Sequence, residues 1–315
     1  MVGINQDYGD AENARQRVDY LLSREAFDEF NIDFIHPNET HPQHARGLLA
    51  ALKPGILISV GTERCEVYAG LSDNVTQLEQ WDKNPEVVLC NSLNTALLAA
   101  STARVDYAEM RFNATPQDWE AIARQSTDLH PFHAQLLSHK GAHEWWVKKV
   151  RQEPGFEKFH DAPGIVAWFT DAPFEDANYL HSEEQFQRVH ALAKAGRIHS
   201  RLIDLANPKH VEEGLALALQ DGEKVAAIDV SNAWQYVTNE ELDRLVPPVL
   251  QAGNESPLLI TTARSGGKWY YSGFRLDTLV DDSQQGTVSR HPYFDRTAKV
   301  DKSRFFNAID GIPLG

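Results

Sequence analysis

Four residues in this sequence could contribute to a ligand site because of both their chemical type and their position: Gly61, Asp82, Asp204 and Asp229. Each lies at or just beyond the end of an apolar run that is typical of a buried strand. A glycine turn lets the backbone approach a ligand closely. A carboxylate about twenty residues further on can accept hydrogen bonds from both ribose hydroxyls. We therefore predict an adenine nucleoside site, with Asp204 near the adenine and Asp229 near the reacting centre.

The charge around the glycine turn indicates a cationic ligand. The turn reads Gly61-Thr62-Glu63 and lacks the further glycines of a phosphate-binding loop. Glu63 would repel a pyrophosphate but attract a positive group, and S-adenosylmethionine carries a sulfonium and an ammonium. We expect this turn to hold the methionine end, and Asp82 to bind the ribose with help from Asn84. The alternative for Asp82 is a purely structural role as a helix cap.

The end of the predicted strand at 224–232 supplies candidates for the reacting centre. Asp229 is expected to hold a substrate amine, and Ser231 to orient it or help take its proton. Asn232 is expected to line the same place. Aromatic faces could steady the sulfonium by cation–π contact, although each candidate could equally be an ordinary buried aromatic residue. These candidates are Tyr8, Tyr179, Trp234 and Tyr236.

The elements that must position these residues alternate along the chain. Apolar runs predict strands at 56–60, 75–82, 197–205, 224–232 and 256–263, with a further candidate in KWYYSGFRL at 268–276. Helical patterns separate the strands, and Pro85 suits the first turn of one of these helices. The order predicts an α/β fold with a Rossmann-like, doubly wound and mostly parallel sheet.

Three regions are predicted along the chain. Residues 1–50 form an N-terminal helical cover that is either a lid over the ligand or a frayed terminus. Residues 51–280 form the α/β domain, with a helical insertion at about 105–195, and residues 281–315 form a polar tail. Within the insertion, the charged residues of RVDYAEMRF predict a structural ion-pair group. These residues are Asp106, Glu109 and Arg111.

Composition limits the partners. The chain has 315 residues and a formal net charge of −15, which would repel nucleic acid. No apolar run approaches the ~20 residues of a membrane span, and the N-terminus lacks a signal-peptide core. We expect a cytoplasmic protein with a small-molecule substrate. Its two cysteines, Cys65 and Cys90, are expected to be reduced packing residues. The histidine clusters lack the spacing of a metal site, so no metal is predicted.

A resemblance to a known family supports the same interpretation. The segments ISVGTERCEVYAG, QWDKNPEVVLCNSLNTALL and AAIDVSNAWQYV look like the class I S-adenosylmethionine-dependent methyltransferase fold. The arrangement is similar, more narrowly, to the 3-amino-3-carboxypropyltransferases of betaine-lipid synthesis. The resemblance covers roughly residues 50–265. The matching positions are Asp82, Asn84, Pro85, Ser231 and Asn232.

The resemblance implies a transferase that uses S-adenosylmethionine. The favoured reaction is attack at the γ-carbon of the methionine tail, either by an outside acceptor or by the ligand's own amine, which releases methylthioadenosine. One alternative is methyl transfer to a small molecule, which releases S-adenosylhomocysteine. The other is a protein that binds the ligand without catalysis. The lipid substrate is not carried over, and neither the acceptor nor the oligomeric state is indicated by the sequence.

Overall fold

The computed structural model describes residues 11–23, 42–151, 177–180, 182–233, 239–265, 268–277, 308–309 and 312–313. Within these ranges an eight-stranded sheet forms the centre of the molecule. Its strands are β1 (Gly55–Val60), β2 (Val75–Asp82), β3 (Ile198–Leu202), β4 (Val225–Ser231), β5 (Gly253–Ser265), β6 (Lys268–Arg275), β7 (Ala308–Ile309) and β8 (Ile312–Pro313). The five strand segments predicted with the alternating pattern are thereby confirmed, and the candidate at 268–276 is strand β6.

Helices occupy the connections between consecutive strands from β1 to β5. In the described ranges the helices are α1 (Ala11–Leu21), α2 (Arg46–Ala50), α3 (Arg64–Leu71), α4 (Pro85–Ala100), α5 (Arg104–Phe112), α6 (Pro116–Gln125), α7 (Pro131–Ser138), α8 (Lys140–Trp146), α9 (Glu183–Lys194), α10 (Pro208–Ala218) and α11 (Asn239–Ala252). Pro42–Ala45 is a 3-10 turn and Val147–Arg151 a π-helical turn. The described part of the predicted insertion is therefore helical.

The sheet has the order β3-β2-β1-β4-β5-β6-β7-β8. The pairings from β3 to β5 are all parallel, whereas β6 runs antiparallel to β5. The order reverses between β1 and β4, which is the doubly wound arrangement. The prediction of a Rossmann-like, mostly parallel sheet is confirmed. The tail contributes β7 and β8, which extend the sheet beyond β6.

Both faces of the sheet are covered by helices. Leu57 of β1 packs into a cluster with α1, α4 and α9, whereas Ile56 and Ile58 pack into a second cluster with α10 and α11. Alternate residues of one strand point to opposite faces, so burial of all six residues of β1 requires a layer on each side. This explains why β1 is mostly apolar, with Ser59 as its one polar side chain. Each helix in the described ranges is too short or too polar to cross a membrane.

Candidate functional site

The candidate site lies at the carboxyl edge of the sheet, where the strand order reverses. Parallel strands place their carboxyl ends at one edge, and ligands of open α/β sheets bind at this edge in the crevice where the connections of two neighbouring strands turn to opposite faces. In this chain those strands are β1 and β4. Gly61 follows β1, and Ser231 ends β4 with Asn232 directly after it. The structure thus brings the predicted glycine turn and the predicted Ser-Asn pair to the same crevice.

Asp82 reaches this crevice from the end of β2. Its carboxylate accepts hydrogen bonds from the backbone N–H of Gly61 (3.2 Å) and of Asn84 (2.8 Å). The side chain is half-buried, and a carboxylate has about four lone-pair positions, so acceptor capacity remains for a ligand. Desolvation raises the pKa of Asp82 from 3.8 to about 6, although the backbone hydrogen bonds oppose this shift. Asp82 is therefore both a structural cap and a candidate for the ribose.

The turn after β1 depends on glycine. Gly61 has a φ of +84°, and a β-carbon built there would meet no atom within 4 Å. The space above this residue is therefore open, and the need for glycine is conformational. Asn91 of α4 fixes the turn, because its amide donates to the Gly61 carbonyl (2.9 Å) and its oxygen accepts from the Glu63 N–H (3.4 Å). The buried Thr62 lies between these two anchored residues.

Asn84 begins α4 as its N-cap. Its side-chain oxygen accepts a hydrogen bond from the Glu86 N–H (2.9 Å), and Pro85 follows as the first helical residue. Asn84 is buried beside Asp82. The segment from Asp82 to Glu86 is consequently a rigid corner, in which the Asp82 and Asn84 side chains each satisfy a backbone donor.

Two strained residues flank the crevice. Among the residues that the structure describes, Glu63 (φ 54°) and Ser231 (φ 50°) are the non-glycine residues with a positive φ. A side chain in this region costs about 1–3 kcal/mol, and such residues concentrate at functional sites. One lies in the turn after β1 and the other at the end of β4. The strain therefore coincides with the crevice that the strand order defines.

The structure corrects the role predicted for Glu63. The carboxylate was expected to hold a positive group of the ligand, but the chain itself supplies that group as Arg111 of α5. Both side chains are almost fully buried. Arg111 therefore already supplies, within the protein, the cation that was expected from the ligand, and the pair is shielded from solvent.

The role predicted for Asp229 changes for the same reason. Asp229 has no exposed surface and binds Arg64 of α3. It also accepts hydrogen bonds from the Ser59 hydroxyl (3.1 Å) and the Ser231 N–H (2.9 Å). A substrate amine has no access to this carboxylate in the structure. Asp229 instead ties β4 to α3 and supports the strained Ser231.

Tyr179 lies in a buried polar network rather than on the edge. Its hydroxyl is 2.9 Å from that of Tyr107, and both phenols surround Asn94 of α4. Arg111 donates to the Asn94 oxygen (2.8 Å) and to the Tyr107 hydroxyl (2.6 Å). Burial raises the pKa of both phenols. Tyr179 therefore presents no free aromatic face to a sulfonium, which corrects that expectation.

Glu66 belongs to the same network. Its carboxyl accepts a hydrogen bond from the Asn94 amide (3.0 Å) and one from the Cys65 thiol (3.3 Å). Burial, and then the charge of Glu63, raise the pKa of Glu66 and favour its neutral form. Burial likewise raises the pKa of Cys65, as expected for a packing cysteine, and Cys90 is also free and buried.

The remaining predicted residues take different positions. Asp204 is half-buried two residues beyond β3, and the preceding Ile203 N–H donates to the Asp82 carbonyl (2.9 Å), so the two acids are neighbours along the edge. Asn232 is half-buried beside Ser231. Tyr8, Trp234 and Tyr236 lie outside the described residues.

Several structural anchors were not indicated by the sequence patterns. Arg64 and Arg111 have partners far away along the chain, which no local pattern reveals. RVDYAEMRF was expected to form its own ion-pair group, but Asp106 accepts from Thr102 instead (2.8 Å from its N–H). Asn91 and Asn94 were visible in the sequence as polar residues within a helix that is mostly apolar and almost wholly buried.

One other part of the described structure was considered as a binding site, namely a cavity at the opposite edge of the sheet. A cavity of about 330 Å³ is lined by His130, His133 and the segment just before β3. It lies at the amino end of β3, and so at the edge of the sheet opposite Asp82. Within the described ranges, no three His, Cys, Asp or Glu side chains are grouped to hold a metal ion.

No protein-family model matches this chain, and no curated protein matches its sequence.

Proposed function

We propose that this chain binds S-adenosylmethionine in the crevice between β1 and β4 and transfers a group from it. The observation that carries the proposal is the contact between the Asp82 carboxylate and the Gly61 N–H at the edge where the strand order reverses. This contact joins an acid with spare acceptor capacity to a turn with open space above it. A nucleoside ribose fits that combination.

The chemistry proposed is nucleophilic attack at a carbon next to the sulfonium. Such a displacement needs its reactants aligned, and alignment alone can supply a large part of the rate. The nearby carboxylates of Glu63 and Asp229 are engaged by arginines. We therefore assign no general base to them, and Ser231 and Asn232 stay the candidates at the reacting centre. Transfer or cyclisation of the aminocarboxypropyl group is favoured on the resemblance of the motifs.

The by-product identifies the reaction. The purified protein is incubated with S-adenosylmethionine alone and then with a small-molecule extract, and the sulfur-containing products are identified by mass spectrometry. Methylthioadenosine indicates reaction at the methionine tail, and S-adenosylhomocysteine indicates methyl transfer. Binding in calorimetry without either product indicates a non-catalytic ligand-binding protein.

The Asp82→Ala variant tests the site itself. It should weaken S-adenosylmethionine binding at least about 30-fold, because hydrogen bonds to a charged group contribute about 1.5–3 kcal/mol each. The matched control is Asp128→Asn, at an exposed position in the connection between α6 and α7. Isothermal titration calorimetry gives both affinities. Equal affinity for Asp82→Ala and the control would contradict the ribose assignment, and a wild-type chain that does not bind the ligand would overturn the proposed function.

A further inference from the structure

Two buried ion pairs meet at adjacent residues of the turn after β1. Glu63 binds Arg111 of α5, which belongs to the helical insertion, and Arg64 binds Asp229 of β4. None of the four side chains is more than 5% exposed. The turn is therefore held on one side by the insertion and on the other by the strand across the crevice.

The backbone at Glu63 requires such support. Its φ of 54° lies in the left-handed region, which glycine adopts freely and glutamate adopts at a cost. Glu63 also serves as the N-cap of α3 without a side-chain cap hydrogen bond. Its side chain is therefore not used for capping, and its described charged contact is the one to Arg111. The conformation must be imposed by contacts outside the turn, namely Asn91 and Arg111.

Arg111 is itself held rigidly enough to impose a conformation. Its guanidinium donates hydrogen bonds to Asn94 and Tyr107. Its Cζ atom lies 5.3 Å from the ring centroid of Phe112 and 5.4 Å from that of Trp146. Its carbonyl accepts a hydrogen bond from the indole N–H of Trp146 (2.8 Å). A guanidinium fixed on so many sides cannot follow Glu63 if that residue moves.

We propose that Arg111 is a positioning residue, which holds Glu63 in its left-handed conformation and so sets the turn from Gly61 to Glu63 for ligand binding. The helical insertion is thereby coupled to the crevice. The part of this inference that concerns the ligand rests on the proposed function, whereas the part that concerns the turn does not.

Paired substitutions separate positioning from simple charge pairing. Arg111→Met leaves Glu63 buried without its cation. The double variant Glu63→Gln/Arg111→Met removes the unpaired charge but keeps a side chain in the left-handed conformation. The double variant Glu63→Gly/Arg111→Met removes the charge and also the conformational cost. Arg201→Met is the control, since Arg201 forms an equally buried pair with Glu79 away from the turn.

Two measurements are made on the full chain, at a temperature where each variant is folded. Amide hydrogen exchange of residues 61–66 without ligand reports the turn, and calorimetry with S-adenosylmethionine reports binding. Arg111→Met and the glutamine double variant should raise turn exchange by about tenfold or more, whereas the glycine double variant should return to within about threefold of wild type. S-adenosylmethionine affinity should fall and recover in the same order, and Arg201→Met should leave the turn unchanged.

Other outcomes overturn the inference. If both double variants restore the turn equally, the pair only neutralises charge. If Arg111→Met leaves turn exchange unchanged, Arg111 does not position Glu63. Should Arg111→Met fail to fold, the two double variants decide the question, because neither contains the unpaired glutamate. A wild-type protein that does not bind S-adenosylmethionine would refute the proposed function, while the exchange data would still decide the role of Arg111.

Discussion

Asp82 connects the architecture to a titration that can be measured. Its pKa of about 6 lies above the ordinary 3.8 because the carboxylate is desolvated. A raised folded-state pKa means that the contribution of Asp82 to stability is fully present below pH 3.8 and is lost as the pH rises through 6. The ionised carboxylate that a ribose needs therefore predominates only above pH 6. Its ionisation lowers the stability of the folded protein.

The first prediction concerns this pH dependence. The affinity for S-adenosylmethionine should be about tenfold lower at pH 5 than at pH 7, because protonated Asp82 cannot accept from both ribose hydroxyls. Calorimetric titrations across this range test the prediction, with tight buffering and constant ionic strength. An affinity that stays constant from pH 5 to pH 7 would show that Asp82 does not bind the ligand in its ionised form.

Glu66 provides a second residue-scale prediction. Burial and the charge of Glu63 raise its pKa above the ordinary 4.5, so its ionisation opposes folding. The stability that Glu66 provides is present below pH 4.5 and is lost as the pH rises through the folded-state pKa. Glutamine cannot ionise, so the free energy of unfolding of Glu66→Gln should increase relative to that of the wild type as the pH rises from 5 to 8.

Urea denaturation at several pH values measures this difference. Glu120→Gln, the same substitution at an exposed position of α6, is the control. A difference between Glu66→Gln and wild type that is constant over this range would contradict the assignment of a neutral, buried Glu66.

At the scale of elements, two helices begin with the same device. Asn84 caps α4 and Asn207 caps α10, each followed by proline and each accepting a hydrogen bond from the second residue after it (2.9 Å and 3.1 Å). Alanine at either position should lower the free energy of unfolding by about 0.5–2 kcal/mol. Only Asn84 adjoins Asp82, so only Asn84→Ala should also weaken S-adenosylmethionine binding. Equal S-adenosylmethionine affinities for the two variants would show that the Asn84 corner does not contribute to ligand binding.

The whole molecule depends on burial of the sheet from both sides. Leu57 and Ile58 are adjacent in β1, both have no exposed surface, and they belong to different core clusters. Leu57→Ala and Ile58→Ala should each cost about 2–5 kcal/mol of unfolding free energy. Denaturation followed by fluorescence and circular dichroism measures both. A cost below about 0.5 kcal/mol for one of them would mean that its face of the sheet is open to water.

The sequence predicted the sheet well because strand and helix patterns are local. A strand such as β1 has to be mostly apolar when both faces are covered, and Pro85 and Gly61 are required by a helix start and a turn. The same reasoning placed Gly61, Asp82 and Ser231 at one edge, because parallel strands end together.

The roles of Glu63 and Asp229 could not be predicted in the same way. Their partners, Arg111 and Arg64, are selected by how α5 and α3 pack against the sheet, and packing distant in sequence leaves no local pattern. A charged residue at a strand end looks the same in a sequence whether it faces a ligand or an arginine. The polar positions within α4 were the visible sign of a buried network.

The most direct measurement of the central claim is a crystal structure of the chain with S-adenosylmethionine bound. We expect the adenosine above Gly61 in the crevice between β1 and β4, with both ribose hydroxyls on the Asp82 carboxylate and the sulfonium towards Ser231 and Asn232. An empty crevice at saturating ligand, or density for the nucleoside elsewhere on the molecule, would contradict it.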